Sequence, residues 1–76
     1  MDELMMKECR KRIRALIYLE KILAIDDRYF MFRLLGNEMV EVTDLESGNQ
    51  CYVNIACDNV PAMLYDILKQ AGDWIL

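Results

Sequence analysis

Residues 2–25 contain neither glycine nor proline and are rich in good helix formers, which predicts one long helix. Asp2 and Glu3 place negative charge at the positive end of its dipole. In a chain of 76 residues, everything after such a helix must supply the surface it lies on. With successive side chains about 100° apart, Met5, Met6, Cys9, Ile13, Leu16, Ile17, Leu23 and Ala24 gather on one face. Lys7, Arg10, Lys11, Arg14 and Lys21 gather opposite. Ala15, Tyr18, Leu19, Ile22 and Ile25 add apolar groups outside that stripe. The later half is therefore apolar nearly all round and needs cover on more than one side. Glu20 falls inside the apolar face, where a carboxylate is costly unless it is paired. It either reaches water or makes a polar contact across an interface, to Arg12, Arg33 or an external base.

Asp26, Asp27 and Arg28 end the pattern. Residues 29–35 read as an aromatic-rich strand, and Gly36-Asn37 as a two-residue type II′ hairpin turn. Residues 38–43 form a second strand, with Val40 and Val42 on one side and Met39 sharing the other with Glu41. Residues 44–49 are a polar loop. Residues 50–57 show the clearest period of two, with Cys51, Val53, Ile55 and Cys57 on one face and Tyr52, Asn54 and Ala56 on the other. Asp58 or Asn59 suits a helix cap, and Pro61 fits the first turn that follows. Val60, Leu64, Ile67, Leu68 and Ala71 make the stripe of this second helix. Gly72 reads as its stop, leaving residues 73–76 as an apolar tail. The expectation is a single α+β domain over residues 1–76. Its order is helix, three-stranded antiparallel sheet, helix, with both helices packed on one face of the sheet. That order is similar to double-stranded RNA-binding domains in topology alone. Those domains carry lysines where this chain has Asp58, Asn59, Val60 and Pro61.

The chain has no histidine, and Ser47 and Thr43 are its single serine and threonine. Without histidine the cysteines have no usual partner to make a thiolate, and Cys51 and Cys57 sit on an apolar strand face. Paired Asp26 and Asp27 fit a solvated helix end better than acid/base work. No enzymatic activity is expected. Three cysteines without a C-x-x-C pair predict free thiols in a reduced, cytoplasmic protein. No secretory leader, membrane span or membrane binding is expected. No metal site is expected either, since Cys51 and Cys57 lie roughly 20 Å apart along one strand. No cofactor is implied, because Gly36, Gly48 and Gly72 are isolated from any phosphate-cradling motif.

Yet 55% of the residues are hydrophobic, more than one thin layer hides. One small core also supplies only about 3–5 kcal/mol. Together these predict a non-enzymatic protein-interaction module, a homodimeric small acidic inhibitor or adaptor that binds a protein partner. The expected partner-binding residues are Tyr18, Leu19, Ile22, Tyr29, Met31, Tyr52 and Trp74 as apolar anchors. Glu38, Glu41, Asp44 and Glu46 are expected to steer a basic partner surface. Phage-encoded inhibitors of host defence systems share this smallness and acidity, an analogy of gross properties. The net charge of −4 argues against nucleic acid. The alternative reading is a nucleic-acid-binding regulator using Lys7, Arg10, Lys11 and Arg14 on the first helix.

Overall fold

The glycine-free run becomes helix α1 (Glu3–Ile25). Strands β1 (Phe30–Leu35), β2 (Met39–Asp44) and β3 (Gln50–Asn54) follow, and helix α2 (Val60–Ile75) closes the chain. The computed structural model describes residues 3–36, 38–55 and 59–76, with side chains from Lys7 onward. The sheet runs β1-β2-β3, antiparallel throughout. Its inner face carries Phe30, Phe32, Val40, Val42 and Val53, and Ile55 continues that face beyond β3. Leu16 and Leu23 from α1 and Met63, Ile67, Ala71 and Ile75 from α2 close over them. The architecture is therefore α+β, with both helices on one side of the sheet.

Register follows from which residues must share a face. Phe32 opposes Val42 and Leu34 opposes Val40, and Leu35 opposite Met39 is the last pair before the turn. Three residues, 36–38, therefore bridge β1 and β2 rather than the expected Gly36-Asn37 alone. A two-residue bridge would set Phe32 against Glu41 and drag a carboxylate into the core. Gly36, at φ 63°, takes the left-handed backbone this turn needs. Asn37 lies outside the described residues, as do Ala56, Cys57, Asp58 and the side chains of Met5 and Met6.

Two further expectations are corrected. Helix α1 does not bury the face centred on Ile13 and Ile17. It buries Arg12, Leu16 and Leu23, with Ala15 and Leu19 partly covered, a side of the helix rotated towards α2. The buried Arg12 is partnered. Second, Gly72 does not stop α2, which continues to Ile75 with Gly72 itself buried. Ile75 is fully enclosed, and the Trp74 ring meets Phe30 edge-on at 5.2 Å. Burying those two side chains outweighs the roughly 1 kcal/mol that a helical glycine costs. The start of α2 is as expected: the Asn59 side chain accepts the Ala62 N–H at 2.8 Å, with Pro61 in the first turn.

Candidate functional site

The ladder's own parity determines what each sheet edge presents. The Leu45 N–H donates to the Tyr29 carbonyl at 2.9 Å, so odd-numbered β1 residues bond to β2. Phe30, Phe32 and Leu34 then direct their backbone groups away from the sheet. A helix covers part of that edge: the Glu20 carboxylate of α1 accepts the Phe32 N–H at 2.7 Å. This contact answers the question raised by a carboxylate on an apolar face, and the partner lies within the chain. The opposite edge is treated alike. The Gln70 side chain of α2 accepts the Asn54 N–H at 3.1 Å and donates to the Asn54 carbonyl at 2.6 Å. Unpaired edges recruit other strands, so these two side chains direct association towards faces and grooves.

Three surfaces stay open. The first is the outer face of the sheet, which no described element covers. Met31 is 42% exposed and Tyr52 55% exposed there, with Leu35, Met39 and Glu41 half-buried beside them. Arg33 pairs in register with Glu41, which in turn opposes Tyr52. Of the expected partner-binding residues this face gathers Met31, Glu41 and Tyr52, with Glu38 at its rim where β2 begins.

A second surface is an acidic bowl of about 330 Å3 at the end of α1. Asp26, Asp27, Asp44 and Glu46 line it with Arg28, Tyr29, Phe30 and Trp74. Tyr29, Asp44, Glu46 and Trp74, scattered in sequence, meet here. Trp74 shows the bowl only part of its ring, because its edge contact with Phe30 ties it to the core. Asp44 also organises the following turn, accepting the Glu46 N–H at 2.9 Å.

The third is a groove of about 490 Å3 between the early half of α1 and the later half of β1, lined by Cys9, Ile13, Leu16, Ile17, Phe32, Arg33, Leu34 and Gly36. Sequence reasoning did not nominate it, because it assigned Ile13 and Ile17 to the core. They are 45% and 44% exposed. The same misjudged helix rotation explains both errors. Lys7, Arg10, Lys11, Arg14 and Lys21 are exposed along α1, and Lys11 approaches Glu8 at 3.5 Å. Of the remaining expected anchors, Tyr18 and Ile22 are exposed on the far side of α1, whereas Leu19 packs against the core. Lys21 sits 6.0 Å from the Tyr18 ring.

Burial pushes the Cys51 thiol up, away from thiolate. Among the described residues, no group of three metal-ligating side chains is placed to hold an ion. No described helix is long and apolar enough to cross a membrane. No family model matches the chain, no curated protein is detectably similar to it, and no solved structure matches it.

Proposed function

We propose that this protein is a non-enzymatic interaction module, of the inhibitor or adaptor kind, that self-associates and binds a protein partner. The observation carrying this reading is the surplus of exposed apolar groups. Twelve large hydrophobic side chains are exposed among the described residues, in a chain whose two helices leave one sheet face bare. Contiguous exposed apolar surface marks interaction sites. Acidic groups beside it, Glu38, Glu41, Asp44 and Glu46, favour a partner with a basic surface through long-range attraction. A cytoplasmic setting agrees with the free-thiol reading of the cysteines.

The test is affinity capture from the native host, comparing wild type with Met31→Glu/Tyr52→Glu, followed by mass spectrometry. A basic protein retained by wild type and lost by the double variant is the expected result. Equal retention of the same proteins by both would refute the sheet face as the binding surface. The competing reading, a nucleic-acid regulator, draws on the exposure of Lys7, Arg10, Lys11 and Arg14 along α1. It requires retention on DNA or RNA at low salt that falls steeply as salt rises. Glu8 dilutes those cations and no aromatic side chain interleaves them, while the chain as a whole is acidic, at −4.

A further inference from the structure

We infer that the exposed side of α1 pairs with the same side of α1 in a second copy, the two helices running parallel about a two-fold axis. The inference rests on the proposed function and deepens it, because it assigns the self-association to a surface separate from the sheet face. Its basis is a stripe that the fold leaves uncovered. Tyr18 is 57% exposed, Ile22 61% and Ile25 84%. With Ala15 they follow one another at spacings of three, four and three residues, the repeat that keeps two helices in contact along one seam. At about 100° per residue these four fall within about 80° of arc, room for one neighbouring helix. Leu16 and Leu23, which face the core, lie on another side of α1. Ala15 is half-buried at the margin of the stripe, and its small side chain lets a second backbone approach.

The charges beside the stripe identify the neighbour. Lys21 stands on one flank and Asp26 on the other, and both are exposed. The Asp26 N–H reaches the Leu23 carbonyl at 3.0 Å, so this residue continues the last turn. Among the described residues neither makes an ion pair within its own chain. In a parallel pair, a residue on one flank meets the residue five positions later on the opposite flank of its neighbour. Lys21 and Asp26 have that separation. A second copy therefore brings Asp26 to Lys21 and Lys21 to Asp26, two ion pairs in one contact. This reciprocity is what a two-fold interface requires.

The antiparallel alternative fails on the same charges. Centred on Ile22, it sets each flank against the same flank of its neighbour, so Lys21 faces Lys21 and Asp26 meets no cation. Towards the start of α1 the stripe gives way to Lys11, which holds Glu8 at 3.5 Å. The contact thus spans about three turns. So short a contact belongs with the smaller specific interfaces, and a dissociation constant of about 10–100 μM is expected. Leu16 and Leu23 lie to the Leu19 side of the stripe, so the two-fold axis carries the two domain bodies to opposite sides of the pair. Each outer sheet face stays free for a partner.

Sedimentation velocity on the full chain, from about 1 μM to about 1 mM, tests this with Ile22→Glu, Lys21→Glu and Asp26→Lys. All three sites are exposed, and circular dichroism verifies folding. Wild type is expected to pass from monomer to dimer and no further, and Ile22→Glu to stay monomeric. Lys21→Glu sets acid against acid and Asp26→Lys sets base against base, so each alone should dimerise about tenfold or more weakly. Their equimolar mixture opposes unlike charges again and should regain the wild-type affinity as a heterodimer. Wild type that is monomeric throughout overturns the inference, as does Ile22→Glu that dimerises like wild type, or a mixture no tighter than its parts. Monomeric wild type that captures a foreign protein which Ile22→Glu loses also overturns it, by giving the stripe another occupant. Monomeric wild type that still captures a partner through Met31 and Tyr52 ends this inference alone. A wild-type dimer that captures nothing through that face ends the partner reading and leaves the pairing standing.

Discussion

The Glu20 carboxylate sits 2.7 Å from the Phe32 N–H, so a charged side chain on α1 satisfies a backbone donor on the free edge of β1. The carboxylate is part-buried, and the bond ties the helix to the strand directly above the core. A hydrogen bond to a charged group contributes more than a neutral one, and removing it leaves the donor exposed to other acceptors. Glu20→Ala is expected to destabilise by about 1–2 kcal/mol and to accelerate amide exchange at Phe32 selectively. Glu20→Gln keeps an acceptor and should retain most of the stability. Chemical denaturation and residue-resolved hydrogen exchange read both effects, and unchanged protection at Phe32 in the alanine variant would contradict the assignment.

The last turn of α2 is core. Ile75 has no exposed surface, so Ile75→Ala is expected to cost about 2–5 kcal/mol. An exposed tail would tolerate it within roughly 0.5 kcal/mol. Gly72, inside the same turn, has room for a methyl group, whose nearest neighbour would be the Leu68 Cβ at 4.0 Å. Gly72→Ala should therefore stabilise by about 0.5–1 kcal/mol. Thermal unfolding of the two variants tests the helical boundary from opposite directions.

Asp27 closes α1 in the left-handed conformation, with φ 59°. The Arg28 N–H reaches the Leu23 carbonyl at 3.0 Å and the Asp27 N–H reaches Ala24 at 3.1 Å, a Schellman ending. Glycine is the usual residue there, and an acid stands unfavourably at the negative end of a helix dipole. Asp27→Gly is expected to stabilise by about 1 kcal/mol. Asp27→Asn, which removes only the charge, should give a smaller gain. A loss of stability in the glycine variant would show that Asp27 holds a contact worth more than its backbone conformation.

Burial raises the Cys51 thiol above its ordinary value of 9.0. The unfolded chain therefore releases this proton at lower pH than the folded one. The stability that depends on the neutral thiol is complete below about 9 and is lost as pH rises through the higher folded value. Urea midpoints should fall more steeply above pH 9 for wild type than for Cys51→Ala. Alkylation of Cys51 in the folded protein should be slower than in the denatured chain at the same pH.

Much of the fold was legible in local pattern. The glycine-free run marked α1, the alternation of Cys51, Val53 and Ile55 assigned the inward face of β3, and Asn59 with Pro61 marked the start of α2. Each depends on neighbours a few residues away, and side-chain period and backbone preference act at that range. The candidate site was legible in part: exposed Met31, Tyr52 and the acids were named, but their grouping was not.

The rest was settled by tertiary packing. The later half of α1 is apolar nearly all round, so periodicity could not choose among its faces. The choice fell to Leu16 and Leu23 because α2 and the inner sheet enclose that side, which left Ile13 and Ile17 to line a groove. Glu20 acquired its partner only because β1 runs back along the helix, and Gly72 stayed helical only because Phe30 waits for Trp74. A sequence specifies what each segment can bury, whereas which neighbour covers it depends on residues distant along the chain.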